Sequence, residues 1–403
     1  MRSALTLLVL LSTACWRQDE FRSQCVLAGN CVIPEVDAGF DAGLEPSRWS
    51  ETASLLFDVA TDAGAEFDVQ FVSNLSASED TMGQCRYAGG VLTPQGSVLC
   101  IPFALDRAVE FLPDGRLTPT SIARPPGDTW AGGVMLDDGT VLGLPVGATT
   151  MLVFKPPMPN RGYDFLPIGL SAPAEFTGGA RTLEGTLIAG ATTSATFIRP
   201  DGGTRLLTGS TTGAYAGAVL TESGRSVLLV PRTATRLVEV TPRSNITPDR
   251  VTLRGTQPIS GLAGGLLLES GDALLMPSVA GGAFVRVPAD GGAPASTPQV
   301  ARAGLFSAAW STNGYAYSLE VDGGTGHVAV ISRTGDVTWA RLPSSATAAD
   351  GGFFAGSHLG LTGMADGRLV SCGCLSSNLL ILTPRVRRTV PLEVMTSPWL
   401  NKW

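Results

Sequence analysis

Charge is scarce in this chain. Of 403 residues only 16% are Asp, Glu, Lys or Arg, and the balance is −7. Lysine is nearly missing: Lys155 and Lys402 are the two present, so positive charge is carried by arginine. Apart from a short run at 385–388 no basic cluster occurs. A nucleic-acid partner needs a basic patch against its phosphates and is excluded. Histidine is equally rare. His327 and His358 do not form a His-Glu-x-x-His zinc spacing, no Gly-x-Ser-x-Gly nucleophile turn occurs, and no Asp-x-Asp-x-Asp-Gly calcium loop is present. Neither a metal, a cofactor nor a catalytic residue is therefore expected from a linear motif. No apolar run reaches the ~20 residues a membrane-spanning helix needs. Glycine, by contrast, is abundant at 49 residues, and 44% of the chain is apolar, enough for a substantial core.

The first residues are distinctive. Arg2 is followed by an apolar run from Ala4 to Leu11, then by Ser12-Thr13-Ala14-Cys15. A basic end, a short apolar core and small residues at a cleavage point form the layout of a secretory signal. The small-small-Cys ending resembles the lipobox of bacterial lipoproteins, with Ser12 standing where leucine is usual. That resemblance implies cleavage before Cys15, lipid on Cys15, and a membrane partner through the anchor. Trp16 rather than aspartate after the cysteine points, by the same resemblance, to the outer membrane. Residues 16–50 lack apolar periodicity and repeat an Asp-Ala-Gly unit at 37–43. Such composition makes a flexible linker, and it resembles the tethers of myxobacterial lipoproteins. The expected organisation is a signal over 1–14, a lipidated cysteine and tether over 15–50, and a folded body over 51–403.

The body repeats. An aromatic residue, a small one and a Gly-Gly pair open an apolar run. A turn glycine and a second apolar run, often ending in proline, follow. Tyr87-Ala88-Gly89-Gly90 leads to Gly96 and Pro102; Trp130-Ala131-Gly132-Gly133 leads to Gly139 and Pro145. Further copies centre on Gly185, Gly224, Gly271, Gly314 and Gly367. Two apolar runs joined through a glycine turn make a β-hairpin, because glycine takes the positive φ the turn needs. A third apolar run and a polar fourth follow in most copies. Four antiparallel strands in about 45 residues is the size of a propeller blade, so the expected fold is an all-β, seven-bladed β-propeller of four-stranded blades. The layout resembles kelch- and NHL-type bacterial propeller repeats and lacks the Trp-Asp ending of WD40 repeats. Ring closure has two candidates: the alternating segment 67–72 and the C-terminal run 388–394.

Aligned on their turn glycines, the copies place Tyr87, Trp130, Phe176, Tyr215, Leu262, Leu305 and His358 at one position. In a propeller such positions form a ring near one end of the central channel. The aromatic faces there either stack on a planar ligand or wedge between neighbouring blades. Tyr87, Trp130, Phe176, Tyr215 and His358 are the candidate ligand-binding residues. His358 is the one histidine placed for acid–base chemistry.

Seven cysteines are odd for an exported protein. Removing Cys15 to lipid leaves Cys25, Cys31, Cys85, Cys100, Cys372 and Cys374, an even set suited to an oxidising compartment. Cys25 and Cys31 are spaced to close a small loop in the tether. Cys100 and Cys372 hold nearly matching second-strand positions in the first and last copies, which a closed ring makes neighbours. The reading favoured by the sequence is a non-catalytic module of the cell envelope that binds a protein, peptide or glycan. The alternative is a hydrolase or lyase working through an ion held in the channel.

Overall fold

A computed structural model of the chain describes residues 67–73, 85–136, 138–155, 164–182, 185–190, 194–198, 204–208, 213–221, 223–242, 250–305, 307–311, 314–320, 326–342 and 357–384. For 164–177, 185–190, 194–198 and 204–208 it describes the backbone.

The first copy of the repeat builds a four-stranded sheet from β2 (Tyr87–Leu92), β3 (Val98–Pro102), β4 (Arg107–Phe111) and β5 (Leu117–Ser121), in that order; β1 (Phe67–Ser73) precedes it in the chain. Next come β6 (Trp130–Met135), β7 (Val141–Lys155), β8 (Asp164–Thr182), β9 (Gly185–Gly190), β10 (Ser194–Ile198) and β11 (Thr204–Thr208), hydrogen-bonded as one six-stranded sheet. The next sheet consists of β12 (Tyr215–Leu220), β13 (Val227–Pro231), β14 (Leu237–Thr241) and β15 (Arg250–Arg254). β16 (Leu262–Leu267), β17 (Ala273–Pro277), β18 (Ala283–Val287) and β19 (Ala295–Val300) form another. So do β20 (Ala309–Trp310), β21 (Ala316–Leu319), β22 (His327–Ile331) and β23 (Val337–Arg341). In the last sheet β24 (Thr362–Gly363), β25 (Leu369–Ser371) and β26 (Asn378–Pro384) are completed by β1.

The chain is thus an all-β propeller with four-stranded antiparallel blades, but the expectation of seven such blades is corrected. Five four-stranded blades form. The second and third copies do not make separate four-stranded sheets; they enter the single six-stranded one. The physical cause lies at 146–150, Val-Gly-Ala-Thr-Thr, where the backbone bends, with Gly147 at φ 74° and the ladder shifting on both sides of Ala148. The Asp128 carboxylate accepts from the Thr149 amide at 3.2 Å and from the Thr150 hydroxyl at 2.5 Å. In that bend Val146 and Ala148 pair with Glu175 and Ala174 of β8, just before β8 turns to pairing with β9 at Phe176, and this joins the strands of the two copies in one sheet. The expected body from residue 51 is described from 67 onward.

Within each repeat the pattern has a clear structural meaning. Gly96, Gly139, Gly224, Gly271, Gly314 and Gly367 all have positive φ, between 66° and 90°, as hairpin turns demand. The Gly-Gly pair does two jobs. At its first glycine the ladder slips: the register shifts between Tyr87 and Gly90 and between Trp130 and Gly133, with Gly89 at φ 82° and Gly132 at φ 64°. This is a β-bulge, where glycine supplies the conformation. At its second glycine, space is the constraint. A Cβ on Gly133 would stand 2.7 Å from Val91 Cγ2 and 2.9 Å from the Leu142 carbonyl oxygen.

The core lies between adjacent sheets. Val91, Leu99, Ile101 and Ala108 of the first blade pack with Trp130, Val141, Leu152 and Phe154 of the next sheet. The ring closes where Tyr87, Val98, Cys100 and Val109 meet Val370, Cys372, Leu379 and Ile381. Closure uses the N-terminal strand: β1 pairs with β26 from Phe67↔Pro384 to Ser73↔Asn378. The competing run 388–394 lies outside the described residues. Every strand runs between two ends of the molecule. The inner strands start at one, called here the mouth face; the glycine hairpin turns lie at the other, the turn face.

Candidate functional site at the mouth face

Tyr87, Trp130, Tyr215 and Leu262 open their inner strands and are buried, Leu305 and His358 lie just before β20 and β24 and are buried, and Phe176 lies within β8. Tyr87 and Trp130 are 0% exposed and Tyr215 1%. Each wedges against the preceding sheet, Trp130 among Val91, Leu99 and Ile101, and Tyr215 beside Ala180. The Trp130 indole donates to the Thr150 carbonyl at 2.9 Å. The rings of Tyr87, Trp130 and Tyr215 are packed between sheets. The side chain of Phe176 lies outside the described residues; its backbone pairs with Gly190.

His358 is fully buried, and so is Ser357 before it. Its Nε2 lies 3.1 Å from the Asn378 carbonyl, which can only accept, so Nε2 carries the proton. Nδ1 then accepts from the Ser357 hydroxyl at 2.9 Å. Burial holds the imidazole pKa down to about 4, against a smaller upward pull from the Asn378 carbonyl. A neutral ring sealed from solvent orders the backbone between 357 and 378 and cannot reach a substrate.

Ala88, Ala131, Ala216 and Ala263 follow the ring residues on their inner strands and are 2 to 8% exposed. Among the described residues no group of three His, Cys, Asp or Glu is placed to hold a metal ion.

What the mouth does present is a compact set of residues from the first, second and last copies. Two disulfides staple the first copy to the last, Cys85–Cys374 and Cys100–Cys372, with Cα atoms 4.2 and 5.7 Å apart. Cys25 and Cys31 lie outside the described residues, as does Cys15. Beside the outer staple, the Arg86 amide donates to the Cys374 carbonyl at 2.8 Å, and its guanidinium Nη1 donates to the Leu375 carbonyl at 3.0 Å. The Arg86 carbonyl accepts from the Phe103 amide at 2.7 Å. Arg124 Nη1 donates to the Phe103 carbonyl at 3.4 Å. Phe103, Val146 and Leu359, all partly buried, gather around Ala88 and Ala131. Leu375 next to them is 37% exposed. The result is an apolar patch where the first, second and last copies meet, beside two guanidinium groups fixed on backbone carbonyls, that of Arg86 buried and that of Arg124 partly buried.

A second feature lies further round the same face. The Glu320 carboxylate is buried, accepts from the Gly326 amide, and lies 3.4 Å from His327 Nδ1. The His327 ring meets Trp339 edge-on at 6.4 Å. Sequence reasoning passed over this pair, although a signal existed. Tyr87, Trp130, Tyr215 and Leu262 pair across their hairpins with Pro102, Pro145, Pro231 and Pro277, whereas Leu305 pairs with Glu320. A carboxylate where the repeat has proline is visible once the copies are aligned. Arg86, Phe103 and Arg124 carried no such signal, because they stand at positions the repeat does not preserve.

No family model matches this chain, and no curated protein does. Its fold has many solved counterparts. A streptogramin B lyase superposes with a TM-score of 0.61 at 12% identity, over 80% of this chain and 99% of the lyase. The virginiamycin B lyase of Staphylococcus aureus gives 0.62 at 14%, over 79% and 99%. The WD40 β-propeller domain of Doa1 gives 0.55 at 14%, over 79% and 97%. At such identities the likeness is one of fold. It places the chain among the β-propellers, a class that holds lyases and WD40 domains alike.

Proposed function

We propose that this protein is a lipid-anchored module of the cell envelope whose propeller binds a protein, peptide or glycan at its mouth face without transforming it. The observation that carries the binding role is the mouth itself: a partly buried apolar patch of Phe103, Val146 and Leu359, with Leu375 37% exposed and the partly buried Arg124 beside it. The one histidine placed for acid–base chemistry by the repeat is sealed and neutral. Export is supported by the signal layout at 1–15 and by two disulfides, which persist in oxidising compartments. The lyases named above share the fold, and the fold hosts binding modules equally well.

The test is capture of partners from detergent-solubilised envelope by the intact chain, alongside its Cys15→Ser variant. A component retained near one-to-one, with the variant shifting to the soluble fraction, is the expected result. Retention of nothing above bare resin, or a marked drop in melting temperature on adding EDTA, would overturn the binding reading in favour of ion-dependent chemistry.

A further inference from the structure

The two staples between the first and last copies are set differently. Cys100 and Cys372 are sealed inside the apolar cluster at the ring closure. Cys85 is only partly buried, and packs with Phe103, Val146 and Leu359 against Ala88 and Ala131. Its partner Cys374 is buried and is followed by the exposed Leu375. The two sulfurs of this outer bridge also have unlike surroundings. Cys85 Sγ lies 3.2 Å from the Tyr87 carbonyl oxygen, an acceptor that suits a protonated thiol and opposes a thiolate. On the other side, the Arg86 guanidinium is held on the Leu375 carbonyl at 3.0 Å, one residue beyond Cys374. A fixed cation close to a cysteine stabilises its thiolate. The Arg86 and Tyr87 amides donate to the Cys374 and Gly373 carbonyls at 2.8 and 3.1 Å, so backbone bonds join the two segments besides the outer bridge.

We propose that the Cys85–Cys374 bridge is a reversible thiol-exchange site that takes a small thiol on Cys85. The incoming thiolate attacks Cys85 Sγ. A sulfur–sulfur bond forms between the thiol and Cys85, the Cys85–Cys374 bond breaks, and its electron pair passes to Cys374 as a thiolate near Arg86. The step consumes no further oxidant or reductant. Attack by Cys374 on the mixed disulfide expels the thiol and restores the bridge. Exchange of this kind is governed by access to the attacked sulfur and by the stability of the leaving thiolate. Both select Cys85 as the sulfur attacked and Cys374 as the one that leaves. The inner bridge has no accessible sulfur and keeps the ring closed throughout. An adduct on Cys85 stands in the patch of Phe103, Val146 and Leu359, so the modification changes this surface without opening the propeller. The site does not depend on the binding reading above.

The intact oxidised protein is incubated with glutathione, free thiols are capped with N-ethylmaleimide, and the cysteines are mapped by fragment mass spectra. Glutathione should appear on Cys85 and maleimide on Cys374, and Cys100–Cys372 should stay closed at about ten times the glutathione that opens the outer bridge. Melting of the adduct should remain one cooperative transition. Arg86→Gln should slow adduct formation about ten-fold, and Arg86→Lys, which keeps the charge, should retain most of the rate. Glutathione on Cys374 with Cys85 capped, opening of both bridges at one rate, or no adduct before the protein unfolds each overturns the proposal. Exchange in a folded Arg86→Gln variant as fast as in the unaltered protein overturns Cys374 as the leaving thiolate. If that variant does not fold, the cysteine map of the unaltered protein decides alone.

Discussion

A single buried ring sets part of the acid response of this protein. His358 is neutral in the folded chain, with its pKa down near 4, and takes up a proton near 6.5 when unfolded. Between those values the unfolded state holds more protons, so stability must fall as pH drops from about 6.5 toward about 4. Two and a half units correspond to about 3 kcal/mol. His358→Gln keeps an amide donor for the Asn378 carbonyl and has no such proton to bind. Urea unfolding at pH 7 and pH 4.5 should therefore show a smaller acid loss in the variant, by about 2 to 3 kcal/mol. Equal losses would mean that other groups dominate. The placement of His358 in the inner ring was legible from the repeat alignment. Its burial was not, because the alignment fixes which end of a strand a residue occupies and not whether its side chain faces the axis or the neighbouring sheet.

At the scale of elements, the two staples between the first and last copies act on one closure. Cys100–Cys372 joins positions 272 residues apart, and Cys85–Cys374 lies just outside it. Constraining so long a loop in the unfolded chain is worth about 5 kcal/mol. Once it is closed, the second bridge constrains only the short route through 85–100 and 372–374, on the order of 15–20 residues and about 3 kcal/mol. Either bridge can close the long loop, so either can be lost alone at the smaller cost. Cys85→Ala/Cys374→Ala and Cys100→Ala/Cys372→Ala should each destabilise by about 3 kcal/mol, and the fourfold variant by about 8 rather than 6. Simple additivity in guanidinium titrations would refute the shared-closure account. Hairpins were easy to read in the sequence because Gly96, Gly139 and their counterparts must take positive φ. Blade separation was not, because the copies are joined by the pairing of Val146 and Ala148 with Glu175 and Ala174, a contact between segments that no linear pattern marks. The mouth residues escaped notice for a related reason: Arg86 reaches the Leu375 carbonyl, 289 residues away, only when the ring is closed.

For the whole molecule, closure depends on a strand from the far end of the chain. β1 covers β26, and Phe67, 1% exposed, meets the Tyr317 ring edge-on at 5.5 Å. Leu380 and Leu382 of β26 belong to the same apolar cluster. Deleting residues up to 73 would bare the edge of β26 and open that cluster, which invites edge-to-edge association. Deleting only up to 66 leaves the pairing intact. Light scattering on the two truncations should show aggregation of the first and a dispersed second. A monomeric, stable first truncation would mean that the bridges alone hold the ring.

The direction of β1 has a mechanical consequence. The chain reaches β1 on the turn face, at Phe67, and the strand runs from there toward the mouth. If the N-terminal segment is held and a partner is held at the mouth, the load runs along the β1 axis. All seven residue pairs of its ladder with β26 then bear force together, in shear, instead of opening one at a time like a zip. Neither disulfide joins β1 or β26, so the resistance of the attachment is set by one short ladder.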